Sequence, residues 1–147
     1  MKYTEASIGR IFILRLEKGD IIPKTIEDFA REKKIESASV FFIGGADKGS
    51  KVVVGPEDGS AIKPIPVTLP LPRVSESLGV GTIFKNEEGV LKLHMHSAFG
   101  HGKDTIAGCT RQGVDVWLYG EVIIMELVNS SAKRKVDPQT GFELLEV

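Results

Sequence analysis

Leu93–Cys109, LHMHSAFGHGKDTIAGC, holds all three histidines and the single cysteine of the 147-residue chain. Read with a period of two, Leu91, Leu93 and Met95 fall on one face and Lys92, His94 and His96 on the other. That alternation predicts a half-buried strand over Leu91–Ser97, and Gly100–Gly102 predicts a turn. Thr105–Cys109 then returns as an antiparallel partner. Two imidazoles on one strand face lie about 7 Å apart at Cα, near enough to converge on one ion. The returning strand can bring Cys109 beside them. Two histidines and a thiolate make a three-ligand set whose softness favours zinc over magnesium or calcium, with a fourth position open. The bland alternative is a pair of polar residues on a solvated face, with Cys109 a small core residue. His101, in the glycine-flanked turn, reads as solvent-exposed.

Outward from the hairpin the same period recurs. Ser75–Phe84 and Asp115–Leu127 read as long strands, the latter with Gly120 as a bulge, and Asn86–Gly89 as a turn. Arg10–Leu16 (RIFILRL) reads as a strand buried on both faces and Ser37–Ile43 as a second, ended by Gly44-Gly45. Between them, Gly19-Asp20 offers a turn and an N-cap. Ile22, Ile26, Phe29 and Ala30 form one apolar stripe on a helix ending near Lys34, with Pro23 in its first turn. Lys51–Val54 is a short strand. The run PEDGSAIKPIPVTLPLPR, with a proline at nearly every second position toward its end, cannot feed a central ladder and reads as a loop or ragged edge. Lys133-Arg134-Lys135 reads as a solvated tail. The order predicts one α+β domain over residues 1–147, built on a mainly antiparallel, mixed sheet with one principal helix.

Composition sets the outer limits. The chain is 41% hydrophobic and 27% charged, with a formal net charge of −1. Those values describe an ordinary globular domain with no bulk attraction to nucleic acid or anionic lipid. The N-terminal apolar run is too short for a signal peptide or a membrane span, and one cysteine cannot make an internal disulfide. A cytoplasmic protein is expected, without membrane contact. Gly79-Val80-Gly81 lacks the third glycine and following helix of a dinucleotide site, and no phosphate-binding P-loop motif occurs. Nothing marks an oxyanion hole for a Cys–His nucleophile. One helix cannot cover a sheet of six or more strands, so self-association is expected.

LHMHSAFGHGKDTIAGC followed by GVDVWLYGEVIIMEL resembles the PPC domain, conserved in plants and prokaryotes and also called a PD1-like DNA-binding domain. The likeness extends to RIFILRLEKGD, FFIGGA and the Glu76–Phe84 strand. The resemblance implies a homotrimer whose prokaryotic members hold a metal, zinc first, with paired histidines and a third histidine after a Gly-Gly pair. Here the pair is His94 and His96, and the third position falls on Cys109, a departure that keeps a competent ligand. Glu76 matches an acidic position of the family and is a candidate to move protons. The plant proteins' basic AT-hook is absent, so weak DNA binding is expected of a regulatory module. The fold-level similarity to acetolactate decarboxylase implies the alternative, a metal-dependent enzyme acting on a small oxygenated molecule.

Overall fold

Eleven strands and one helix follow one another in the computed structural model, which describes residues Met1–Val147. β1 (Ser7–Glu17) and the two-residue β2 (Ile21–Ile22) precede α1 (Lys24–Glu32). β3 (Ser37–Ala46), β4 (Lys51–Pro56), β5 (Pro66–Pro70) and β6 (Ser75–Lys85) follow. Then come β7 (Leu91–His101), β8 (Asp104–Cys109) and β9 (Val114–Val128), and a hairpin of β10 (Lys133–Val136) and β11 (Glu143–Glu146). The main sheet runs β1-β9-β3-β6-β7-β8-β4-β5, with β2 added to β9. Every strand pairing in it is antiparallel, so the mixed sheet expected from sequence is an antiparallel one. With a single nine-residue helix, the chain is mainly β rather than balanced α+β.

One face of the sheet carries the core. Val40, Phe42, Ile83, Met95, Val122 and Ile124 are buried there beneath Ile26 and Ala30 of α1. So short a helix suffices because the sheet curls toward itself. The Lys51 amide donates to the Gly113 carbonyl at 2.9 Å. The Asp115 amide donates to Ser50 Oγ at 3.0 Å, tying the start of β4 to the start of β9. The helix begins two residues later than its apolar stripe suggests, because Ile22 is taken by the β2–β9 pair. Asp20 holds the turn instead of capping the helix, its carboxylate accepting from the Glu17 amide at 2.8 Å. Lys34, at φ 55°, closes the helix where expected.

Gly44-Gly45 does not end β3, which continues to Ala46. The ladder shifts there, Gly44 pairing with Gly120 and Gly45 with Trp117, so the bulge anticipated at Gly120 falls on Leu118–Tyr119. Leu118 adopts φ 59° to make it. Gly79 and Gly81 face Ser97 and Met95 across the β6–β7 ladder. A Cβ on Gly81 would stand 2.7 Å from the Met95 Cβ, so packing, not nucleotide binding, calls for that glycine. The proline-rich run supplies β5, an edge strand, and so is more than a loop.

β1 is not buried on both faces. Leu16 enters the core, with Phe12 and Leu14 packed beside it, while Ile11 and Ile13 are 58% and 82% exposed. The pairings continue that open face in one row: Ile13, Ile123, Phe41, Val80 and His96 stand opposite one another from strand to strand. Apart from the histidine, every member of that row is apolar and exposed.

Candidate metal centre and its cavities

Period two in β7 sends His94 and His96 to the same side, opposite the buried Leu93 and Met95. Thr82 and Val80 of β6 are their ladder partners on one flank, and Cys109 of β8 stands opposite His96 on the other. β8 then meets β4 through a single pair, Cys109 with Val53. Gly108 makes that meeting possible: a Cβ there would lie 2.2 Å from the Val53 carbonyl oxygen. The hairpin thus brings together the three residues singled out from sequence. The nearest ring nitrogens and the thiol sulfur of His94, His96 and Cys109 lie within 4.8 Å of one another. The two Nε2 atoms are 3.1 Å apart, and the rings meet nearly edge to face at 87°.

His94 keeps a solvent-accessible edge, yet its neighbours desolvate it. Desolvation is the leading cause holding its pKa below the usual imidazole value, and the charges of Arg134, His96 and Arg111 push the same way. The neutral ring that results is the form that ligates metal. His101 stands apart as expected, exposed at the end of β7, its Nδ1–H donating to the Val74 carbonyl at 2.8 Å. Glu76 shares the histidine face but pairs with Gly100, four residues beyond His96. It lines neither of the cavities beside the cluster.

Two cavities flank the three side chains. One of about 600 Å³ runs over Leu78, Val80, Ala98, His96 and Cys109 and is walled by Pro56, Pro64 and Pro66. The proline-rich stretch therefore shapes this wall as well as the sheet edge. The second, of about 470 Å³, holds His94 together with Lys92, Arg134 and Glu27. Arg111 and Phe142 line both, the guanidinium carbon 5.6 Å from the ring centroid.

Arg134 is the main residue that sequence reasoning misplaced. It is 6% exposed, not part of a solvated tail. Its Nη2 donates to Thr82 Oγ1 at 2.9 Å, and its guanidinium lies over Phe84 at 5.8 Å. Burial lowers its pKa, partly offset by Glu143 and Cys109. A usable signal was present: KRKV and ELLE flank a turn at Asp137–Gly141, and in a strand Arg134 must face opposite to Lys133 and Lys135.

Residues 3–128 match the family model of the Plants and Prokaryotes Conserved domain. No curated protein matches the sequence. Among solved structures, the chain is similar to a metal-containing protein from Archaeoglobus fulgidus, at 26% identity, full coverage of both chains and a TM-score of 0.84. A plant- and prokaryote-conserved protein from Pyrococcus horikoshii shares the fold at 23% identity and a TM-score of 0.82, over 100% of this chain and 98% of that one. A protein from Ralstonia eutropha JMP134, provisionally assigned as DNA-binding, is 26% identical with a TM-score of 0.70, over 92% and 90% of the two chains. No helix is long and apolar enough to cross a membrane.

Proposed function

The chain belongs to the Plants and Prokaryotes Conserved domain family, and from that premise we propose that it is a self-assembling metal-binding module in which His94, His96 and Cys109 hold one zinc ion. One observation carries the reading: three ligand atoms from two adjacent strands gathered within 4.8 Å. Zn–N bonds near 2.0–2.1 Å and Zn–S bonds near 2.3 Å put tetrahedral ligand atoms about 3.3–3.6 Å apart. The 3.1 Å separation of the Nε2 atoms meets that spacing with a small adjustment. The cysteine in place of a third histidine adds a charge-neutralising thiolate, which suits zinc. The metal-containing Archaeoglobus relative supports the reading.

The assembly we propose is a homotrimer. The row from Ile13 to Val80 leaves apolar side chains uncovered on the face that carries the histidines, and a second copy is the simplest cover. A neighbouring chain laid on that row also closes over His96. Two roles fit such a module. A regulatory role with weak DNA contact follows the provisional assignment of the Ralstonia relative. The adjoining cavity of about 600 Å³ favours a second reading, an enzyme for a small oxygenated molecule. There a bound zinc would supply Lewis acidity toward a carbonyl or water. The chain's own contribution is an apolar pocket that excludes water from the open ligand position.

Zinc per chain, measured on untagged protein and on His94→Ala, His96→Ala and Cys109→Ala, tests the centre. Wild-type protein is expected to hold one zinc per chain and each variant to lose it. Wild-type protein that takes up no zinc on addition refutes the reading.

A further inference from the structure

Arg134 lies beyond the family-matched residues 3–128, on the hairpin that packs across β6. It is buried, and no carboxylate lies within ion-pair distance of it. One neutral hydroxyl, Thr82 Oγ1, accepts from Nη2, and the buried Nε–H has no acceptor at all. Removing a guanidinium from water without a counter-ion is costly, and an unpaired N–H adds to the cost. Arg134 therefore sits in a place whose full set of partners the polypeptide does not supply.

The surroundings indicate what is missing. Arg134, Arg111 and Lys92 line the same cavity of about 470 Å³, which reaches His94. Its two carboxylates already have partners. Glu27 accepts from the Leu93 amide at 2.8 Å, and Glu143 accepts from Asn86 Nδ2 at 3.2 Å. Three cations thus face two carboxylates, neither of which forms an ion pair with them, and positive charge is left in excess. Arg111 is exposed at the wall shared with the larger cavity and is held over Phe142 rather than over an acid. Planar guanidinium groups pair with the two oxygens of a carboxylate or phosphate, and a cavity of this size accepts a small molecule.

We propose that Arg134 and Arg111, brought together by the C-terminal hairpin, form a binding site for a small oxyanion, a carboxylate or a phosphate, beside His94. The site stands on the two arginines and not on the zinc centre, so the two readings fail separately.

The test titrates full-length protein, metal-free and zinc-loaded, with inorganic phosphate, with acetate and with chloride as the control, following heat by calorimetry. One of the two oxyanions is expected to bind at one per chain, in both metal states, and more tightly than chloride. Whichever of phosphate and acetate binds more tightly identifies the class. Arg134→Gln is expected to weaken binding by at least about tenfold and Arg134→Lys to restore part of it. Arg111→Gln, at an exposed position that leaves folding intact, is expected to weaken binding about fivefold or more. It keeps the proposal testable if Arg134→Gln fails to fold. No heat with either oxyanion up to about 10 mM, equal binding of chloride, or affinity unchanged in Arg111→Gln overturns the proposal. Zinc content measured on the same samples reports on the metal centre independently.

Discussion

Replacing Gly108 with alanine puts a methyl group 2.2 Å from the Val53 carbonyl oxygen and 2.9 Å from Val52 Cγ1. Ordinary contact begins at 3.4 Å, so β8 and β4 have to part by about 1 Å. The obstacle is main chain, which no side-chain rotation relieves. The expected cost is therefore at the upper end of overpacking, about 3 kcal/mol. Because the only β4–β8 ladder pair is made by the next residue, Cys109, the displacement is passed to the thiol. The proposed zinc affinity should fall by about tenfold or more, as it does when a ligand loses its support. The matched control is Gly100→Ala in β7, where the nearest atom to a new Cβ is Thr105 Oγ1 at 4.0 Å. That change should be neutral or stabilise by about 0.4–1 kcal/mol through the unfolded chain. Urea unfolding and zinc titration of the two variants side by side give the answer. Equal stability and equal zinc affinity in Gly108→Ala and Gly100→Ala would refute the argument that backbone approach places Cys109.

Other expectations follow from separate parts of the molecule. Light scattering at micromolar concentration should give the mass of three 16.0 kDa chains. Phe41→Asp, on the exposed row, should reduce that to one chain while leaving the circular dichroism spectrum unchanged. Glu126 accepts from Arg10 Nε at 2.8 Å and from the Arg10 amide at 3.0 Å, which lower its pKa to about 2. A depressed carboxylate pKa contributes stability that is complete above the ordinary value of 4.5 and is lost as pH falls toward about 2. Glu126→Gln should thus be less stable than wild type at pH 7, and the difference should shrink through that window in pH-dependent thermal melts. A gap that stays constant down to pH 2 would show that the ion pair contributes nothing. Duplex DNA should bind weakly at physiological salt and be released steeply as salt rises, in keeping with a net charge of −1. Tight binding that is insensitive to salt in a filter or anisotropy titration would contradict this.

Local alternation made much of the sheet legible. β7 and β9 follow the period of their apolar residues closely, and the same alternation placed His94 and His96 on one side. The extent of β6 was legible but its face was not, because Ser75 and Ser77 are buried there while Leu78 and Val80 are exposed. Cys109 was recoverable because a glycine-rich turn returns the chain antiparallel to β7. Long-range relations were less accessible. Whether Ile13 meets a core or solvent depends on what lies above the open sheet face, which its own neighbours in sequence do not encode. The burial of Arg134 depends on Thr82 and Phe84, some fifty residues earlier, and on a hairpin short enough to read as a charged tail. The single helix was legible, but the curl of the sheet, fixed by contacts such as Lys51 to Gly113, was not, because it joins strands some sixty residues apart.

The prolines of the outermost strand bear on how this sheet can grow. Pro64, Pro66, Pro70 and Pro72 fall on one parity of the chain, so an extended run sets their missing donors along a single border. β5 already spends its other border on β4. A foreign strand arriving at the free side finds at most the Thr68 amide among those positions to grip, too little for a ladder. Runaway strand-on-strand stacking is blocked at that end. Any strand-to-strand joining of copies is left to β1, at the opposite limit of the sheet, where no proline interrupts Ser7–Glu17. An array propagating through both borders is closed to this protein, and a finite oligomer remains open to it.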